Sequence, residues 1–176
     1  MSIATREYSG WLQAELRSDQ AGETGAVWIY RGVLATRPQP ALRQFCLQHL
    51  ATEQLHLTEM NALLPAQSRS VLLPIWRIAG FLTGFLPACV GERSVYLTVA
   101  AVETFVQAHY QQQIENPKLQ PYPEVKEKLN TFMQDEIEHK EEAVMLAGRP
   151  PGKVAAQWCA LVGAGSEFAV KLARRF

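Results

Sequence analysis

The sequence predicts an all-α fold: a four-helix bundle with two additional helices, one of them strongly apolar. Three observations carry this. Breaks rich in proline and glycine divide the chain into segments of about 20 to 30 residues. Those segments are rich in Ala, Leu, Gln and Glu, which favour helices. No segment alternates apolar and polar residues between paired turn signals, as strands would. With 176 residues the chain is long enough to bury a real core and reads as a single domain over 1–176.

The elements follow in order. The first helix is predicted over 7–36 and stops before Pro38. The second, 40–64, opens on Pro40, which suits a first turn, and ends where Pro65 to Ser70 turns polar. The third, 71–90, contains thirteen residues without a charge, Ile78 to Val90, and ends at Gly91. The fourth, 92–115, runs to Asn116 and Pro117. The fifth, 123–146, lies between the Pro121–Pro123 cluster and the run Gly148-Arg-Pro-Pro-Gly152. The sixth, 152–174, completes the set.

Charge excludes one class of partner. Lys+Arg and Asp+Glu number 17 each, so nothing favours nucleic acid, whose binders are usually basic. Cys46, Cys89 and Cys159 lie far apart without CxxC spacing, which predicts reduced, buried thiols. Met1 to Glu7 has no basic start followed by an apolar core. It reads as neither secretory signal nor transit peptide, and predicts a cytosolic or cytosol-facing protein.

Two stretches echo each other. Glu23, Tyr30, Glu53 and His56 in the first match Glu103, Tyr110, Glu136 and His139 in the second. Tyr follows the first Glu by seven residues and the second Glu leads His by three, which suggests a repeated helical hairpin. Glu53-Gln-Leu-His56 and Glu136-Ile-Glu-His139 are both Glu-x-x-His, a spacing that puts carboxylate and imidazole on one helix face. Two such helices plus one Glu from each of two others is the stated pattern of ferritin-like dimetal sites. In an antiparallel pair, residues equidistant from the turn lie level. Glu23 and Glu53 centre on Pro38, and Glu103 and Glu136 centre between residues 119 and 120, in the second proline cluster.

The expected metal ligands are therefore Glu23, Glu53, His56, Glu103, Glu136 and His139. Four converging carboxylates would repel and lose solvation, and two divalent cations would offset their charge. Oxygen-rich ligation with one nitrogen per metal suits iron or manganese. Asp135 could orient His56 or be a solvated helix-face residue, and Asp19, one turn before Glu23, has the same two readings. His49 is assigned to packing, and Tyr30 and Tyr110 to the core by default. His109 lies off the ligand face. Gly22 and Gly25 flank Glu23 at about 1 kcal/mol each relative to Ala, explained by close helix packing or by open space beside the metals.

In the third helix the uncharged run Ile78 to Val90 is too short for a usual transmembrane span. Trp76 and Arg77 precede its apolar run and Arg93 follows it. The last helix carries Trp158, Phe168, Lys171, Arg174, Arg175 and Phe176. This composition fits an interfacial helix, the alternative being a core helix packed within the domain or a dimer.

At this point the residues resemble a known family, the Coq7-type demethoxyubiquinone hydroxylases, from about Asp19 onward. The likeness lies in Asp19-Gln-Ala-Gly-Glu23-Thr-Gly-Ala26 with Ile29-Tyr30-Arg-Gly32, and in Glu53-x-x-His56-Leu. It continues in Leu73-Pro-Ile-Trp76-Arg-Ile-Ala-Gly80-Phe, Val102-Glu103 with His109-Tyr110, and Asp135-Glu136-x-Glu138-His139. The resemblance implies a peripheral membrane monooxygenase that hydroxylates the ring of a demethoxyubiquinol with a polyprenyl tail. It implies two irons per chain on the six ligands, O₂, and an external or quinol-derived two-electron source. It implies that His109 and Tyr110 act near substrate and metals, and that residues 71–90 and the C-terminal helix touch the membrane. A second copy or a lipid-binding accessory protein would be a further partner. The expected location is the cytoplasmic side of a bacterial cell membrane, or the mitochondrial inner membrane in a eukaryote. Gln20 departs from the family's frequent His, Glu167 and Lys171 from its typical Arg and Tyr, and Lys140 from an acidic residue. The rival readings are a ferritin-like protein handling iron or peroxide, and a helical interaction protein without metal.

Overall fold

The computed structural model describes residues 8–176, so the expectation for Met1 to Glu7 lies outside the described residues. Six α-helices form: α1 Gly10–Ala35, α2 Pro40–Leu63, α3 Leu73–Val90, α4 Glu92–Glu115, α5 Pro123–Ala147 and α6 Lys153–Ala173. No strand occurs among the described residues. The two proline-bearing breaks read as loops each hold a short 3₁₀ turn, Ala66–Ser68 and Pro117–Leu119.

Local chemistry sets the helix ends. The Ser9 hydroxyl accepts from the backbone N–H of Leu12 and caps α1. Pro40, Pro74 and Pro123 stand in first turns, where a missing N–H costs nothing. Gly91 joins α3 to α4 at φ 145°, a backbone that L side chains rarely adopt.

The result is a ferritin-like bundle. Hairpins α1–α2 and α4–α5 form its four long helices, α3 lies along α1, and α6 spans α4 and α1. Among the described residues the two largest of four apolar clusters divide the interior. One gathers Tyr30, Leu42, Phe45, Val95 and Ala143, the other Leu12, Leu16, Met60, Leu129 and Phe132. Each fully buried aliphatic or aromatic side chain contributes about 1.5–3 kcal/mol. The polar layer described below lies between the clusters.

Glycine explains how close α3 comes. A Cβ at Gly84 would lie 1.9 Å from the carbonyl oxygen of Ile29, and one at Gly80 2.3 Å from that of Gly25. Helix α3 is thus pressed backbone to backbone against α1. Its opposite face is bare: Ile75, Ile78, Leu82, Leu86 and Val90 are exposed, at steps of three and four residues. The helix has the length and composition of a membrane span, with a mean hydropathy of 1.5 over 18 residues. On α6, Leu161 and Phe168 are also exposed.

Several expectations need correction. Trp76 is buried and donates to the Ser70 hydroxyl. Arg93 donates to the carbonyls of Ala147, Arg149 and Pro150, and Arg174 pairs with Glu15. All three groups are engaged inside the fold, and Arg93 supplies donors to carbonyls that the end of α5 and the residues after it leave open. Cys46 is buried, but Cys89 is exposed. All three cysteines are free thiols.

Candidate metal centre

Glu23, Glu53, His56, Glu103, Glu136 and His139 are all at least 93% buried and converge in the polar layer. They fall into two groups whose ligand atoms lie within 4.8 Å of one another: Glu23, Glu53, His56 and Glu136, and Glu53, Glu103, Glu136 and His139. Each group offers three carboxylates and one imidazole. Glu53 and Glu136, the carboxylates of the two Glu-x-x-His motifs, belong to both.

Electrostatics describe a strained set of charges. Burial pushes the Glu53 carboxyl well up, and Glu136 and Glu23 add to it. Burial, then Glu136 and Glu53, does the same to Glu103. Burial pulls His56 down, but Glu136 and Glu23 outweigh it and carry it to about 11. His139 rises to about 10, Glu136 and Glu53 outweighing burial. Burial would raise Glu136, yet His139 and His56 hold it at about 2.

Hydrogen bonds do not satisfy the cluster. His56 Nδ1 lies 3.2 Å from Glu136 Oε1 without hydrogen-bond geometry, and Glu53 Oε1 lies likewise 3.3 Å from His139 Nδ1. Glu23 Oε2 is also buried without a partner. Convergent donor atoms left orphaned among themselves fit a cation better than a hydrogen-bonded core.

The surroundings hold this geometry. His56 donates Nε2–H to Asp135 Oδ2 at 2.9 Å, the orienting bond that one reading of Asp135 expected. The Tyr110 hydroxyl donates to Glu23 Oε1. His109 turns from the ligands: its Nε2 lies 2.9 Å from Asp19 Oδ1 and 2.8 Å from the Gln113 side-chain nitrogen. Asp19 is buried, not a solvated helix-face residue. Tyr30 is buried with an unpartnered hydroxyl; burial and the charges of Glu103 and Glu53 push its pKa well up.

His49 packs as expected, but against the centre itself. Its ring lies 4.1 Å from that of His139, and its Nε2 is 2.8 Å from Glu142. Phe132 lies 4.0 Å from the ring of His56. His49 and Phe132 each stand four residues before the Glu of a Glu-x-x-His motif. Each covers the histidine of the other motif. Extending the repeat back one turn would have found this pair; their unlike side chains hid it.

A cavity of about 440 Å³ opens beside the cluster, between α1, α3, α4 and α6. Glu23, Glu53, Glu103, Glu136, His109 and Tyr110 form its polar end. Gly25, Ile29, Trp76, Gly80, Val102, Trp158, Leu161 and Phe168 line the rest. A Cβ at Gly22 or Gly25 would meet nothing within 4 Å, which is the open space beside the cluster that one reading of these glycines expected. The Gly25 backbone also receives Gly80, so the close-packing reading holds there too. Glu167 and Lys171 pair with each other at the surface at 2.6 Å and do not line the cavity. Gln20 is buried and donates to Asn61, and Lys140 donates to Gln107.

Comparison with known proteins places the chain in a family. Residues 10–173 match the family described as "Ubiquinone biosynthesis protein COQ7". The chain is 36% identical over 129 residues to a Rhodospirillum rubrum protein named 3-demethoxyubiquinol 3-hydroxylase, covering 72% of this chain and 60% of that protein. It is 35% identical over 136 residues to the Dictyostelium discoideum protein named NADPH-dependent 3-demethoxyubiquinone 3-hydroxylase, mitochondrial, covering 73% and 61%. It is 33% identical over 156 residues to the Saccharomyces cerevisiae 5-demethoxyubiquinone hydroxylase, mitochondrial, covering 77% and 66%. The chain thus spans about three fifths of the first two relatives' length.

Proposed function

The chain belongs to the COQ7 family of ubiquinone biosynthesis proteins, and from that premise we propose that it hydroxylates the ring of a demethoxyubiquinol, using two iron ions and O₂. One observation carries the reading: a mostly apolar cavity runs from the cluster's four carboxylates, along α3, to Leu161 and Phe168, which are exposed on α6. A protein that only stores or oxidises iron has no use for such a cavity. A flat ring with a polyprenyl tail has the shape and polarity to fill it.

The donor set fits the metal. Two nitrogens and four carboxylates, two of them common to both groups, suit two adjacent ions of iron's ligand preference. Glu23 and His56 would hold one ion, Glu103 and His139 the other, with Glu53 and Glu136 serving both. Iron bound there supplies the redox chemistry that activates O₂.

The remaining work falls to the chain. Asp135 fixes the His56 ring so that Nδ1 faces the cluster. Tyr110 orients Glu23 through its hydroxyl. Gly22 and Gly25 leave room for a ring edge against Glu23. Helices α3 and α6 wall the cavity and keep water from the reacting ring. Placing one oxygen atom on the ring and reducing the other to water requires two electrons, from an external reductant or a quinol. Tyr110 and His109 border the ring and are assigned to its positioning.

The exposed stripe of α3, with Leu161 and Phe168, supports peripheral membrane contact. In a bacterium this is the cytoplasmic face of the cell membrane, in a eukaryote the mitochondrial inner membrane. The deciding experiment is expression in cells lacking the hydroxylase. Ubiquinone should return and the demethoxy precursor should fall. Persistence of the precursor, with the protein expressed and iron-loaded, would refute the assignment.

A further inference from the structure

The internal repeat allows each half of the centre to be compared with the other. The second hairpin braces two ligands of the first. Tyr110, seven residues after Glu103, donates its hydroxyl to Glu23 Oε1. Asp135, one residue before Glu136, accepts from His56 Nε2 at 2.9 Å. The first hairpin returns neither bond. Tyr30, seven residues after Glu23, is buried and its hydroxyl has no partner. The residue before Glu53 is Thr52, half-buried like Asp135 but without a carboxylate. Among the described residues His139 makes polar contacts only through Nδ1, toward the cluster, and its Nε2 has no partner. Among the same residues no hydrogen bond from outside the cluster reaches Glu103, which meets Glu136, itself a ligand.

Packing does not distinguish the halves. Phe132 covers His56 at 4.0 Å and His49 covers His139 at 4.1 Å. Ligand type does not distinguish them either, since each group has three carboxylates and one imidazole. The difference lies in the bonds behind the ligands. Such bonds fix a ligand's orientation and raise its basicity, and losing one typically costs about 10- to 100-fold in metal affinity.

We infer that the two ion positions are unequal: the one between Glu23 and His56, braced by Tyr110 and Asp135, fills first and empties last, and the one between Glu103 and His139 holds a weaker, exchangeable ion. Tyr110 and Asp135 are thereby positioning residues for one ion and not for both. The inference rests on the two-ion reading of the cluster proposed above.

The test uses the full chain freed of metal and titrated with cobalt(II). A lone cobalt(II) gives a paramagnetic signal that fades when a second ion is coupled to it through shared carboxylates. Native protein given one cobalt per chain should show the lone-ion signal, and the second equivalent should remove it. Two variants then isolate the positions. Glu103→Ala keeps the braced position and Glu23→Ala the other, and the first should bind its ion about 10- to 100-fold more tightly. Adding Asp135→Ala should weaken binding by Glu103→Ala about tenfold or more and leave Glu23→Ala unchanged, whereas a general loss of packing would weaken both. Equal affinities in the two single-position variants would overturn the inference and leave the two-ion reading in place. Coupled pairs predominating in native protein at one cobalt per chain would overturn it too, and that measurement needs no variant to fold. A native chain that bound fewer than two cobalt ions at saturation would remove the two-ion reading and the inference together.

Discussion

His56 and Asp135 face each other from α2 and α5, with the imidazole Nε2–H donated to the Asp135 carboxylate at 2.9 Å. Asp135 is 37% exposed in its side chain while His56 is 1% exposed, so the bond links the buried cluster to a residue at the surface. Asp135→Ala should leave the fold intact but weaken metal affinity about 10- to 100-fold. A competitive chelator titration measures this. Unchanged affinity would show that the His56 ring is held by packing on Phe132 alone.

Sharing of the central carboxylates predicts unequal losses. Glu136 serves both groups, Glu23 only one. Glu136→Ala should abolish two-metal binding, and Glu23→Ala should retain about one ion per chain. Elemental analysis after gel filtration distinguishes the two. Two irons retained in Glu136→Ala would sink the ligand assignment.

Metal loading should release protons. Glu53 and Glu103, pushed well up by burial, and His56 and His139, raised to about 11 and about 10, must all deprotonate to bind. Glu136, held at about 2, is already ionised. Acidification adds protons that the metal must displace, so affinity should fall as pH falls and rise as pH rises. Calorimetric titrations in buffers of different ionisation enthalpy count the protons. Equal heats in all buffers would contradict the charge arrangement described above.

The glycines of α1 and α3 should respond oppositely to the same substitution. Gly84→Ala drives a Cβ to 1.9 Å from the Ile29 carbonyl oxygen and should cost about 1–3 kcal/mol or more. Gly22→Ala meets nothing within 4 Å, and should gain up to about 1 kcal/mol of helix stability while narrowing the cavity beside Glu23. Thermal unfolding of both variants checks the contrast.

Ile78→Glu with Leu82→Glu should weaken association with liposomes and leave metal content unchanged. Both residues stand on the bare face of α3. Phe81 and Phe85, more conspicuous in the sequence, stack on each other, and Phe81 also meets Trp28 edge-on. Sedimentation with vesicles measures the effect, and undiminished partitioning would assign the face to a protein partner.

Much of this architecture was legible before the coordinates. The level pairing of Glu23 with Glu53 and of Glu103 with Glu136 follows from counting to each turn, because an antiparallel hairpin obeys that arithmetic. The helix ends followed from Pro40, Pro123 and Gly91. Contacts between helices that are not neighbours in sequence were not legible. Asp19 and His109 meet across 90 positions, and the rotation of α1 and α4 that joins them is set by packing rather than spacing. The burial of Trp76 and the capture of loop carbonyls by Arg93 were hidden for the same reason. Both side chains fit a membrane edge equally well until the neighbouring helix was in place.

Helix α6 is fastened near both ends. Trp158 donates to the Thr98 hydroxyl at 2.8 Å near one end. At the other, Arg17 donates to the carbonyls of Ala173 and Arg174, Arg174 pairs with Glu15, and Ser70 donates to the Phe176 carbonyl. Between these moorings lie Gly163, Gly165 and Ser166, with no bulky side chain among them. Such a helix cannot swing like a lid without breaking several polar bonds at once. Traffic to the buried cluster should therefore pass sideways along the seam between α3 and α6. The seam's width then depends on how far the small-residue middle of α6 bows while its ends stay fixed.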